Sequence, residues 1–182
     1  MVEDSDIITW SENYYLKWSD FLADPNPSAF EDSSSKIKYH HTWTVKSDMV
    51  DRKIFYQIEK IQLSTLFLRH LSWVRDQHSS DNLLNHEQGH FDLAESIRDT
   101  IVKNIEDKFR EKRFPTRGQN EEQRKQFARE DSGLMITKEL EKWNEILSEK
   151  RQKYVEETEY GQNIEKQKEY DEKFQKLRKS TM

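Results

Sequence analysis

Residues 82–97, NLLNHEQGHFDLAESI, set three ionisable side chains into the apolar stripe of a helix, and that limits what the chain can fold into. With about 100° between successive residues on a helical wheel, Leu83, Ala94, Ile97, Ile101 and Ile105 fall on one narrow stripe. His86, Glu87 and His90 fall on the same stripe. A buried polar group left unpaired costs on the order of 1–3 kcal/mol, so the fold must give all three a partner. Asp92 and Glu95 lie more than about 100° from the stripe centre and are expected to face solvent.

The spacing His86-Glu87-Gln88-Gly89-His90 is H-E-x-x-H, which presents two imidazoles from consecutive helical turns to one Zn²⁺. In that arrangement Glu87 is placed to take a proton from a metal-bound water whose pKa the metal has lowered. The competing reading is a pair of core-facing histidines hydrogen-bonded to their neighbours. The chain has no cysteine, so a disulfide framework and a thiolate site are both excluded and any metal must be held by nitrogen and oxygen. A catalytic zinc needs a third protein ligand, which this helix does not supply. Outside the helix the best-placed imidazole is His41, on an inward strand face.

The chain, 182 residues long, reads as a β-rich first part followed by helices. In KIKYHHTWTV the residues Ile37, Tyr39, His41, Trp43 and Val45 share one face by strict alternation. In KIFYQIEKIQL the residues Ile54, Tyr56, Ile58 and then Lys60 oppose Phe55, Gln57, Glu59 and Ile61. TLFLRHLSWV is a third extended segment without clean alternation. Ser80 and Asp81 are good caps for a helix running to about Lys112, stopped by FPTRG. The polar stretch Gln119–Asp131 reads as a short helix or a connector. After Gly133 a long helix carries Leu140, Trp143, Leu147 and Tyr154 on one stripe, and Gly161 is placed to end it. A last helix shows Ile164, Gln167, Tyr170, Phe174 and Leu177.

Charged residues make up 36% of the chain, which raises disorder as an alternative, but five Trp, nine Phe and seven Tyr placed periodically argue for a modest core. The net charge of -5 comes from interleaved acids and bases with no basic face, so nucleic acid is not an expected partner. MVEDSDIITW lacks the basic and apolar regions of a signal peptide. No run approaches the roughly 18 apolar residues that span a bilayer. A soluble, cytoplasmic protein without membrane contact is expected, and its oligomeric state is not legible.

ITWSENYYLKWSDFLADPNP together with LSWVRDQHSSDNLLNHEQGHFDLAESI resembles the domain-of-unknown-function family nine-two-two, described as predicted zinc-dependent proteases. The likeness spans nearly the whole chain, and LLNHEQGHFD is its most specific piece. It implies a zincin-like α+β fold: a small, twisted, mainly antiparallel sheet packed on a long H-E-x-x-H helix, with a helical C-terminal extension. Residues 1–112 would hold the sheet and active-site helix, and residues 113–182 the helical C-terminal part of the same domain. The family's C-terminal motif is Tyr-Asp-x-x-Thr-x-His-Gly, followed by a Gln and an aromatic residue. In YVEETEYGQNIEKQKEY, Tyr154, Thr158, Gly161, Gln167 and Tyr170 fit, while Val155 replaces the Asp and Tyr160 replaces the His.

The expected function is that of a zinc-dependent metalloprotease. His86 and His90 hold Zn²⁺, and Glu87 is the general base acting on a peptide or protein substrate. With the family's His absent, Glu157 is the favoured third ligand, and Tyr160 is placed to ligate or to steady an oxyanion. FLRHLSWV is expected to hold an extended substrate by edge pairing. The alternative is a catalytically degenerate metal-binding or protein-interaction scaffold, for which the replaced His at Tyr160 speaks.

Overall fold

The computed structural model describes residues 6–180, so Met1–Ser5 of the N-terminal stretch read above lie outside the described residues. The described residues form an α+β fold, with an antiparallel sheet and three α-helices. Strands β3 (Ile37–Val50) and β4 (Lys53–Leu68) form a long hairpin. They are joined through Asp51 and Arg52, both at positive φ (52° and 64°), as a two-residue type I′ turn requires. β4 is the central strand, with β3 on one side. On its other side β1 (Ile7–Thr9) pairs with Leu66–Leu68, and β6 (Phe114–Pro115) pairs with Phe55 and Tyr56. A separate two-stranded ribbon pairs β2 (Ser33–Ser34) with β5 (Trp73–Val74). The helices are α1 (Asp81–Phe109), α2 (Glu121–Thr158) and α3 (Ile164–Ser180).

Two compact units are formed, each from discontiguous stretches. Of the described residues, one unit holds 6–40, Ser64–Arg98 and 147–180; the other holds His41–Leu63 and Asp99–Ile146. In the first unit Trp10, Leu16, Phe21, Ile37, Phe67, Phe91, Ala94 and Leu147 form the main core, and Leu93, Tyr154 and Phe174 form a smaller cluster. In the second, Phe114 packs on Tyr56 and Phe109, with ring centroids 5.5 and 6.2 Å away.

The alternation expected for β3 holds, with Ile37, Tyr39, His41, Trp43 and Val45 more covered than the residues between them. In β4 it breaks at one point. Lys60 adopts φ 51°, and the buried positions shift from Tyr56 and Ile58 to Ile61 and Leu63. One extra residue has entered the strand, as in a β-bulge, so Ile61 joins the covered face and Lys60 is left exposed. α1 is capped as expected: Ser80 Oγ accepts the Leu83 N–H at 3.2 Å. The stretch Gln119–Asp131 is neither a connector nor a separate short helix. Asn120 Oδ1 caps the Gln123 N–H at 2.9 Å, and α2 then runs 38 residues straight through Gly133. Gly133 lies under Trp43, where a Cβ would stand 3.1 Å from the indole ring. No helix among the described residues is long and apolar enough to cross a membrane.

Candidate metal centre on the H-E-x-x-H helix

α1 is buried on every side from His86 to Glu95, ten consecutive residues. His86, Glu87 and His90 are 1%, 3% and 6% exposed, as their place on the apolar stripe requires. Tyr154 from α2 fills the space beside them. Its ring stacks on His86 at 4.7 Å and 5° and meets His90 edge-on at 5.0 Å and 88°. Its hydroxyl donates to the His86 carbonyl at 3.0 Å. The close approach is possible because Gly89, an x of the motif, has no side chain: a Cβ there would lie 2.0 Å from the Tyr154 hydroxyl oxygen.

The hydrogen bonds assign a tautomer to each imidazole. His86 Nδ1 faces Thr158 Oγ1 at 3.2 Å and Gln167 Oε1 at 3.4 Å. Thr158 already donates its hydroxyl hydrogen to the Tyr154 carbonyl at 2.7 Å, and an amide oxygen only accepts. His86 therefore carries its proton on Nδ1. Its Nε2 is a bare lone pair, buried and without a hydrogen-bond partner among the described residues. Burial lowers its pKa to about 4, so the ring is neutral at pH 7.

His90 is the opposite case. Arg151 Nε donates to His90 Nδ1 at 3.0 Å, and the same guanidinium donates to the Ser35 carbonyl at 2.8 Å. A guanidinium has donors only, so Nδ1 holds the lone pair and the proton sits on Nε2. Burial first, then Arg151, holds the His90 pKa well below the usual histidine range. Glu87 accepts hydroxyls on both carboxylate oxygens, from Ser33 at 2.5 Å and from Ser35. Burial pushes its pKa up, with the two serines and Arg151 pulling it back.

This donor set does not fit a zinc ion. Histidines that ligate through Nε2 normally give their Nδ1–H to an acceptor, which orients the ring and raises its basicity. His86 meets that requirement. His90 does not, because its Nε2 carries the proton and a cation holds its other nitrogen. Among the described residues no three His, Cys, Asp or Glu side chains gather to hold a metal ion. Glu157 accepts the Tyr170 hydroxyl and lies 3.7 Å from Lys153 Nζ. Its carboxylate is thus engaged by a phenol and an ammonium, and it does not gather with the histidines into a metal-holding group among the described residues. His41 stacks on Trp43 at 5.2 Å in the other unit.

The expected C-terminal stretch does reach the histidines. Glu159, Tyr160 and Gly161 follow α2 with three successive positive φ values of 49°, 57° and 85°. This turn brings the Tyr160 ring centroid to 6.1 Å from His86 and seats Gly161 on it, where a Cβ would stand 3.0 Å from His86 Cβ. The same turn borders a cleft of about 420 Å³ lined by Phe30, Glu31, Asp32, His78 and Tyr160 among others.

Two expectations are corrected by partners remote in sequence. Asp92 and Glu95 do not face solvent; they are 3% and 7% exposed. Asp92 Oδ1 accepts from Trp10 Nε1 at 2.8 Å, Gln88 Nε2 at 2.9 Å and Arg178 at 2.6 Å. Glu95 accepts from Thr65 at 2.6 Å and Arg98 at 2.9 Å. Nor is FLRHLSWV an open edge: Leu66–Leu68 are paired to β1, and Trp73–Val74 to β2. The residues that sequence reasoning missed are Ser33, Ser35 and Arg151. The serines carried no signal. Arg151 did, since it continues the α2 stripe of Leu147 and Tyr154 and so interrupts it with a charge. No family model matches the chain, and neither does any curated protein or solved structure.

Proposed function

We propose that this chain is a metal-free, non-hydrolytic binding scaffold on a zincin-like layout, with the H-E-x-x-H helix as a buried spine. The observation that carries the reading is the state of Glu87. A general base must reach the water it activates, whereas this carboxylate is 3% exposed and both its oxygens accept serine hydroxyls. Its work is structural: it ties α1 to Ser33 and Ser35 and lies in the field of Arg151. The cleft beside Tyr160 is the surface offered to a partner. Phe30, 87% exposed, and the Glu31 carboxylate suit a protein segment bearing a cationic side chain.

Replacement of Glu87 tests this directly. Glu87→Ala leaves two buried hydroxyls without an acceptor and takes the opposite charge from beside Arg151, so stability should fall by about 2–4 kcal/mol in urea unfolding. The wild-type protein, supplied with zinc, is expected to cleave no peptide. Zinc-dependent peptide hydrolysis that disappears in Glu87→Gln at unchanged stability would overturn the reading, because removing a purely catalytic group seldom destabilises.

A second reading, a zinc metallopeptidase with His86 and His90 as ligands and Glu87 as base, is favoured by the bare, buried Nε2 of His86. The two left-handed non-glycine residues beside it, Glu159 and Tyr160, add support, since strained backbone gathers at functional sites.

A further inference from the structure

We propose that Arg151 is a resident cation that takes the place of a metal ion by fixing His90 in the tautomer that cannot ligate. The inference rests on the metal-free reading and names the residue that enforces it. Arg151 is held by two hydrogen bonds and lies beside a buried carboxylate. Its Nε donates to His90 Nδ1 at 3.0 Å and its terminal nitrogen to the Ser35 carbonyl at 2.8 Å, while Glu87 is the carboxylate whose field acts on it. Ser35 is also a donor to Glu87, so one short segment binds both the cation and its counter-charge. A positive charge thus already stands among His90, Glu87 and Ser35, and it can be satisfied there only by acceptors.

Metal binding through His90 Nε2 would require the proton to move to Nδ1. That N–H would then confront the Arg151 N–H, and the incoming cation would face a guanidinium one ring away. His86 has no such obstacle, since Thr158 and Gln167 already hold its Nδ1 proton. The two histidines of the motif therefore differ in one respect, the partner of Nδ1. Giving His90 an acceptor should restore the pair.

The test is Arg151→Gln, whose amide oxygen can accept an Nδ1–H, beside Arg151→Lys, which keeps a cationic donor. Long-range ¹H–¹⁵N correlation spectra of the wild-type chain should show His90 protonated on Nε2 and His86 on Nδ1. Zinc chloride, titrated against a chromophoric chelator, should bind Arg151→Gln at least about tenfold more tightly than wild type. That is the scale on which outer partners of ligating histidines act. Arg151→Lys should bind no better than wild type. If Arg151→Gln does not fold, the wild-type spectrum tests the proposal on its own. The proposal is overturned by a wild-type His90 protonated on Nδ1, by a folded Arg151→Gln with no gain, or by an equal gain in Arg151→Lys. Tight zinc binding by the wild-type chain would instead defeat the metal-free reading itself, so the two failures are distinct.

Discussion

Gly89→Ala separates a helix that merely contains H-E-x-x-H from one built around Tyr154. In an isolated helix the change is favourable, since alanine in a helix interior is about 1 kcal/mol better than glycine. Here the added Cβ would lie 2.0 Å from the Tyr154 hydroxyl oxygen and 2.7 Å from Cζ. Tyr154 is fully buried and cannot swing away, because His86, His90, Tyr170 and Phe174 pack around its ring. Shifting the phenol breaks its bonds to the His86 carbonyl and to Gln167, costing about 1–3 kcal/mol. Overpacking adds about 1–3 kcal/mol more. After the propensity gain, stability should fall by about 1–5 kcal/mol, a large share of the roughly 5–15 kcal/mol of an ordinary domain. Urea unfolding should show a lower midpoint at an unchanged slope. A gain in stability would refute the seating of Tyr154 over Gly89, and with it the packing that positions both histidines.

Acid should act through the same histidines. His86, with its folded pKa lowered to about 4, binds fewer protons folded than unfolded between pH 6.5 and 4. Its contribution of about 3 kcal/mol is therefore complete above pH 6.5 and lost as pH falls towards 4. Glu87, raised by burial, pulls the other way as pH rises above its unfolded value of 4.5, so the clean assay is an NMR titration. His86 should show no protonation down to pH 5; a midpoint near 6.5 would contradict its burial. Asp92→Asn breaks a buried pair with Arg178 and should cost about 3–5 kcal/mol, with part recovered in Asp92→Leu/Arg178→Met. An effect below about 0.5 kcal/mol would place that pair in water. Arg52→Gly removes about 1–2 kcal/mol of left-handed strain against about 0.5–1 kcal/mol of added chain entropy. A rise in thermal midpoint is expected, and a fall would exclude the type I′ turn.

Legibility in the sequence followed the range of the forces involved. The face of Ile37, Tyr39, His41, Trp43 and Val45 was readable because alternation is a local consequence of the strand, and the Ser80 cap because it acts within one turn. The burial of His86, Glu87 and His90 followed from helical periodicity. What surrounds them did not. Asp92 is turned inward by Trp10 and Arg178, 82 and 86 residues away, and a wheel drawn for one helix cannot include the elements that cover its other side. Gly133 read as a helix boundary because its reason, the Trp43 ring, lies about 90 residues earlier in the chain. The motif itself set a sharper limit. H-E-x-x-H specifies which side chains share a face, but the tautomer of His90 is decided by Arg151, 61 residues on, and the freedom of Glu87 by two serines more than 50 residues before it.

Zinc stoichiometry decides whether the protein's own cation and hydroxyls occupy this motif. Wild-type protein is incubated with equimolar zinc chloride, desalted, and its metal measured by mass spectrometry. Far less than one zinc per chain is expected, with no difference between wild type and His86→Ala or His90→Ala. One zinc per chain, lost in both variants, would contradict the metal-free reading.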